Sequence, residues 1–357
     1  AQGLALEGPA QQILDLAPGQ SRPVDFMVKA GQPGPASLEF QATMDGERDA
    51  ARFKLSVLPL TNLETAAMAG ALDPAGGLVV TVAPSLAAVL GAPAAVLLDY
   101  PWECLEQRLS KAAARALILA HGPALGLDSA GMERQAVQAA LDQVADYQHG
   151  DGGLSLWPGQ RRSDFFVTAY AMLAARQIEA SGATLEPEVK KRALDYLQDT
   201  LRKSPPPKAG SKARRLAEAL ALMVLAQEGR PVRPALEAAL ARSQGLEPMG
   251  LAALLRAAQL SQMPALTGEL LTRLEASAVP SAQHLHFAGV EPGGLKEIMG
   301  SSLRDNALAL WVLAQAQPAY PRLEALASWV AARLGESKSL STQEAVFGLW
   351  GLAAYLG

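Results

Sequence analysis

Cys104 and Gln107 stand three residues apart in the run Tyr100-Pro101-Trp102-Glu103-Cys104-Leu105-Glu106-Gln107, and a thiol at that distance from a side-chain amide can carry out an unusual reaction. In a helix or turn, residues i and i+3 share a face, so the Cys104 sulfur can reach the Gln107 amide carbon. Attack there expels ammonia and leaves an internal thioester, an activated acyl group. An amine or hydroxyl that attacks the carbonyl displaces the thiolate and stays on the Gln107 side chain as an amide or ester. A chain with this cross-link is a covalent trap that works once. Because an activated acyl group hydrolyses in water unless covered, the aromatics just before the cysteine, Tyr100 and Trp102, are candidates to exclude water from it. Each feature also has a plainer reading. A lone cysteine is most often a small buried hydrophobe, and a pair of aromatics before a helix often caps its apolar face.

The elements expected to hold these residues change character along the chain. Residues 1–60 are punctuated by Pro and Gly. They carry short alternating runs, Gln11–Leu16, Val24–Val28, Leu38–Thr43 and Arg52–Val57, that read as β-strands, with Met44-Asp45-Gly46-Glu47 as a hairpin turn. So few strands suit the C-terminal part of a β-sandwich that begins upstream. Residues 61–96 contain a further strand candidate, Gly77–Val82, and an apolar stretch, Leu86–Leu90, and read as a connector or part of a split domain. From about 97 to 357 the period becomes helical, with Ala and Leu at three- and four-residue spacings and Gly or Pro between segments. Helices are expected near 105–120, 132–148, 164–180, 187–202, 212–228, 233–243, 249–260, 266–277, 303–316, 321–333 and 342–355. Several share an apolar stripe ending in Leu-Ala, and this repetition of helix pairs points to a mostly α array of about twelve helices, a solenoid or a closed α/α toroid, preceded by β segments.

The motif Cys104-Leu105-Glu106-Gln107, led by Tyr100-Pro101, closely resembles the Cys-x-Glu-Gln thioester motif of alpha-2-macroglobulins and complement components. Ser341-Thr342-Gln343-Glu344-Ala345-Val346 is similar to the run that opens the last helix pair of the same thioester domains. Gln148-His149-Gly150-Asp151-Gly152-Gly153, followed by Trp157 and Thr168-Ala169-Tyr170, is similar to their Asp-Gly-Gly loop and following helix. The resemblance covers about 97–357, which it implies is an α/α toroid, and more weakly the preceding β region, where it implies a macroglobulin-like β-sandwich over 1–60 and the first part of a split CUB-like β domain over 61–96. Leu105 in place of Gly, and a single cysteine that rules out an intrachain disulfide, favour the bacterial branch of the family. That resemblance implies a periplasmic, broad-spectrum protease inhibitor, its parent protein anchored to the inner membrane in some cases, rather than a turnover enzyme. It would trap proteases through their lysine amines once a bait region upstream is cut. It further implies that Tyr100 shields the thioester together with residues of a later domain, and that Glu106 belongs to the motif.

Some thioester proteins use a histidine to attack first and redirect acylation from amines to hydroxyls, and His284 and His286 are the candidates for that role here. No third ligand accompanies them at a diagnostic spacing, so neither a metal nor any cofactor beyond the Cys104–Gln107 cross-link is expected. The nine basic residues between Lys190 and Arg215 read as a solvated helix edge. The 31 basic and 35 acidic residues nearly balance, which argues against nucleic acid or anionic lipid as partner. No apolar run reaches the roughly 18–20 residues of a membrane span, and Ala1-Gln2-Gly3 is not a secretory leader. The expected partners are proteases and other domains of the parent protein, with this segment itself a monomer. Two other readings compete. The Gln148 to Trp157 run is similar to the Gln-Trp repeats of terpene cyclases, yet aromatics are only 5% and no Asp-Asp run supplies the acid such a cyclase requires, while a zinc prenyltransferase needs Asp, Cys and His ligands together and the single cysteine lies in the Cys104 to Gln107 motif. A passive helical scaffold would leave the Cys104 to Gln107 spacing without a purpose.

Overall fold

The computed structural model describes residues 3–17, 20, 22–32, 34–57, 86–100, 104–203, 212–243, 245–281, 284–289, 299–336 and 339–357. The chain divides into two units, Ala1–Leu78 and Val79–Gly357.

In the first unit β1 (Leu4–Glu7) pairs antiparallel with β2 (Met27–Ala30), and β3 (Gly34–Met44) pairs with β4 (Glu47–Val57). The hairpin turn falls where the Asp-Gly step predicts it. Asp45 and Gly46 have φ of 49° and 89°, the two positive angles that match a two-residue turn to the twist of its strands. Phe40 packs edge-on against Phe53 across the hairpin at 5.9 Å, and Phe26 sits 5.8 Å from Phe40. The strand expected at Gln11–Leu16 does not form. Its alternation finds no partner strand among the described residues, Ile13 is exposed, and the Gln12 amide instead donates to the Asp25 carbonyl at 2.8 Å. The candidate Gly77–Val82 lies outside the described residues.

Among its described residues the second unit is helical, apart from one short hairpin and two isolated β-bridges, Gln148 to Leu154 and Leu154 to Asp164. Its α-helices are α1 (Gly91–Leu98), α2 (Leu105–His121), α3 (Arg134–Asp142), α4 (Phe165–Glu179), α5 (Pro187–Lys203), α6 (Lys212–Gln227), α7 (Arg233–Ala241), α8 (Pro248–Leu260), α9 (Pro264–Glu275), α10 (Ser302–Ala316), α11 (Leu323–Glu336) and α12 (Thr342–Leu356). The helical unit starts earlier than the sequence suggested. Leu86–Leu90 forms a 3-10 turn that runs into α1, and both pack against α12 rather than joining a β domain. Leu90, Ala94 and Leu97 are buried at i, i+4 and i+7 spacing along one face, but every residue of Gly91–Leu98 is apolar or glycine, so no polar face marks the period.

Even-numbered helices form an inner ring: α2 neighbours α4, then α6, α8, α10 and α12 follow in turn, and α12 returns to α2. The odd-numbered helices pack outside them. The split follows from side-chain pattern. Every residue of α4 from Phe165 to Ala175 is buried, as expected of a helix enclosed on all sides. In α5 only Val189, Ala193, Leu194 and Leu197 are buried, one stripe with charged residues opposite. Alanine and glycine let the inner helices approach closely; a Cβ on Gly351 of α12 would lie 2.7 Å from the Ala307 carbonyl of α10. The ring therefore closes on itself, as an α/α toroid must. Short polar side chains cap three inner helices: Asp164 accepts from Val167 N at 2.9 Å, Ser301 from Arg304 N at 3.1 Å and Ser341 from Glu344 N at 3.2 Å. The basic run is laced with ion pairs: Lys190 to Glu179 and Glu228, Lys191 to Asp195, and Arg202 and Lys203 to Asp199.

Candidate functional site

Cys104 is the N-cap of α2 and Gln107 is its third residue. The two make a reciprocal capping box: the sulfur accepts from the Gln107 backbone N–H, while Gln107 Oε1 accepts from Cys104 N at 3.1 Å. The amide carbonyl is thus folded back over the residue whose thiol would attack it. Cys104 is buried, and burial pushes its thiol above the ordinary range. The N–H groups of Gln107 and Glu106 pull it down, and the nearby Glu106 charge pushes it further up. Desolvation wins, so this thiol lacks the reactivity of an exposed cysteine, and proximity to the amide is what it has in place of thiolate character.

Glu106 lies between Cys104 and Gln107 in the same first turn of α2, only 1% exposed. Thr342 Oγ1 reaches its carboxylate oxygens at 3.0 and 2.8 Å, and Ser110 Oγ donates to Oε1 at 2.9 Å. The Ser110 hydroxyl is in turn hydrogen-bonded to the hydroxyl of Tyr170 on α4. No cation faces this carboxylate among the described residues. Burial therefore raises the Glu106 pKa despite the donors from Thr342 and Ser110, and the Tyr170 hydroxyl is held well above its usual range by burial and by the Glu106 charge. The chain Tyr170, Ser110, Glu106, Thr342 joins α4, α2 and α12, and so crosses the seam where the ring closes.

A second buried polar group adjoins it. Arg304 of α10 donates from Nε and Nη2 to Asp305 Oδ1 at 3.0 and 2.8 Å, and from Nη1 to Gln343 Oε1 at 3.3 Å. Asp305 Oδ2 and Gln343 Nε2 are buried without hydrogen-bond partners among the described residues.

The start of α2 is also braced from the side. Leu105 N donates to the Leu156 carbonyl at 2.9 Å, which docks the 147–164 loop against the helix N-terminus. Within that loop Gly152 has φ of 89°, and a Cβ there would meet the Arg192 carbonyl at 2.4 Å, so only glycine fits between the loop and α5. Asp151 Oδ1 accepts from Gly153 N at 3.0 Å and from Ser163 Oγ at 2.6 Å, and Arg192 Nη2 holds the His149 carbonyl at 2.8 Å.

Of the other expected site residues, Tyr100 is half-buried, with its carbonyl accepting from Lys111 Nζ of α2 at 3.4 Å, and Trp102 lies outside the described residues. The two histidines belong to the hairpin of β5 (Ala278–Pro280) and β6 (Leu285–Phe287). His286 stacks on Trp329 of α11 at 4.9 Å, its pKa lowered by burial and by Arg333, while His284 bonds through its backbone with Ser281. Among the described residues neither forms a hydrogen bond or ring contact with Cys104 or Gln107. No group of three His, Cys, Asp or Glu among them could hold a metal ion, and no helix is long and apolar enough to cross a membrane.

No family model and no curated protein matches the chain. Solved structures do. A Salmonella alpha-2-macroglobulin reacted with methylamine is similar over 99% of this chain and 24% of its own, at 22% identity and a TM-score of 0.65. The native Escherichia coli protein from domain MG7 to the C-terminus matches over 99% of this chain and 59% of its own, at 21% identity and a TM-score of 0.62. The fold is that of bacterial alpha-2-macroglobulins. An E. coli alpha-2-macroglobulin activated by porcine elastase shares it over 99% of this chain and 34% of its own, at 21% identity and a TM-score of 0.56. The chain spans about a quarter of the length of the Salmonella protein.

In this alpha-2-macroglobulin fold the sequence motifs noted at the two ends of the helical unit become one site. Thr342 and Ser110 were not singled out as partners of Glu106, nor Leu156 as the brace of Leu105. The only local signal for the first was the Ser341-Thr342-Gln343-Glu344 run itself.

Proposed function

We propose that Cys104 and Gln107 join as an internal thioester and that the chain is the acylating part of a protease trap of the alpha-2-macroglobulin type. The observation that carries this reading is the reciprocal capping box, which holds the Gln107 carbonyl and the Cys104 sulfur within one helical turn. Sulfur attacks the Gln107 carbonyl carbon, the thiol proton leaves with the amide nitrogen as ammonia, and a thioester forms. A target amine then adds to the same carbon. The carbon–sulfur bond breaks, the sulfur recovers a proton, and the target remains on Gln107 through an amide. Nothing restores the thioester, so the chain acts once and is an inhibitor rather than a turnover enzyme.

Lysine amines of proteases are the proposed targets. Two of the similar structures are of alpha-2-macroglobulins reacted with methylamine or activated by elastase, which supports an amine nucleophile and a protease partner. The packing of His286 on Trp329 supports amines over hydroxyls, because the imidazole is engaged in a stack and bonds to neither Cys104 nor Gln107 among the described residues. Tyr100 and Trp102 are proposed to shield the bond, other domains of the parent protein to complete the cover, and the periplasm to be the compartment.

The test is the intact mass before and after methylamine, with thiol titration. A chain one ammonia lighter than its sequence that gains one methylamine as one thiol appears supports the reading. A free thiol and full sequence mass in the parent protein would exclude it.

A further inference from the structure

The loop that braces α2 carries features the thioester chemistry does not use. Leu105 N bonds the Leu156 carbonyl, and Cys104 and Trp157 each lie one residue from that bond. Beyond it, Trp157-Pro158-Gly159-Gln160 has proline second and glycine third with φ of 75°, and Gln160 N donates to the Trp157 carbonyl at 3.4 Å, the pattern of a type II turn. Trp157 N donates to Gln160 Oε1 at 3.2 Å, Ser155 Oγ to the Trp157 carbonyl at 2.9 Å, and Asp164 N to the Leu154 carbonyl at 2.7 Å. The turn is therefore built and anchored, yet it presents Trp157 48% exposed in a chain poor in aromatics.

Arg161 and Arg162 follow directly, both exposed and neither in an ion pair or hydrogen bond among the described residues. In the Lys190 to Lys203 run of this chain of net charge −4, by contrast, Lys190, Lys191, Arg202 and Lys203 are in ion pairs and Arg192 donates to the His149 and Gly150 carbonyls. The acidic groups nearest the two arginines in the loop are already committed: Asp164 to the N-cap of α4, and Asp151 to Gly153 and Ser163. With Leu156, Gln160, Ser163 and the capping residue Asp164 the arginines line a hollow of about 390 Å³.

We propose that Trp157, Arg161 and Arg162 form a docking surface beside the thioester for an acidic segment of the target protein, so that lysines flanked by Asp or Glu are acylated first. The proposal rests on the thioester reading above and names the substrate class of that site. Guanidinium groups match carboxylates in charge and geometry, and a half-exposed tryptophan supplies apolar area at low entropic cost.

Two experiments on the purified chain test it. Peptides with one lysine between acidic residues, or between uncharged ones, are reacted at low ionic strength, and each rate is divided by the methylamine rate of the same protein. The acidic peptide is expected to react about threefold to tenfold faster, with the advantage lost in about 0.5 M salt and in Arg161→Gln/Arg162→Gln. Equal rates for the two peptides, with methylamine reacting normally, overturn the proposal. In the second experiment a labelled acidic peptide without lysine is titrated by fluorescence anisotropy. Weaker binding to the double variant supports the surface even if methylamine shows that no thioester forms, and identical binding to both proteins overturns it.

Discussion

The carboxylate of Glu106 and the hydroxyl of Thr342, 236 residues apart in sequence, meet at 2.8 Å and join the first inner helix of the ring to the last. A buried carboxylate with no facing cation is costly, and its neutral donors offset only part of that cost. Removing a donor should therefore hurt more than neutralising the acceptor. Thr342→Val is expected to destabilise the helical unit by about 1–3 kcal/mol and Glu106→Gln by less, with a coupling of about 0.5–3 kcal/mol in the double-mutant cycle. Urea unfolding of the four proteins gives the cycle, and strictly additive effects would show that the contact carries no net energy.

Cys104→Ser separates stability from chemistry. Serine is a better N-cap than cysteine and keeps the reciprocal geometry with Gln107, so α2 is expected to be at least as stable as before. The same variant is expected to show no mass change with methylamine. Thermal unfolding and intact mass of one preparation check both halves.

Gly152→Ala places a methyl against the Arg192 carbonyl at a backbone angle that alanine avoids. A loss of about 1–3 kcal/mol is expected, together with faster hydrogen exchange at Leu105, whose N–H is covered by the same loop. Unchanged protection at Leu105 would show that the loop and the start of α2 move independently.

Asp305 has its pKa raised from 3.8 to about 6, because burial outweighs the attraction of Arg304, with Glu247 adding to the rise. The folded form thus binds this proton more tightly than the unfolded chain. The stabilisation is complete below about pH 4 and disappears as pH rises through about 6. Against Asp305→Asn, the native chain is expected to gain about 2 kcal/mol as pH falls from 7 to 4.5. A relative loss over that range would mean that the Arg304 pairing dominates.

Much of this was legible in the sequence because it is local. The spacing of Cys104 and Gln107, the Asp45-Gly46 turn and the three- and four-residue periods of α2 to α12 each depend on neighbours a few positions away. The helix α1 escaped notice because it is short and apolar on every side. Gln11–Leu16 misled because alternation needs a partner strand before it becomes one. The donors to Glu106 come from α2 itself and from α12, and no local pattern says which distant hydroxyl a buried carboxylate meets. Nor does spacing indicate that Leu156 would brace Leu105, since that bond depends on how a loop folds back over a helix end.

Because the ring closes through its last helix, the site has an order of assembly. A ribosome releases α2, with Cys104 and Gln107, long before it has made Thr342. Until α12 emerges, Glu106 lacks its partner and the seam beside the thiol stands open to water. In the proposed trap, the Cys104–Gln107 bond would therefore gain its cover on the α12 side only after the last helix has been made.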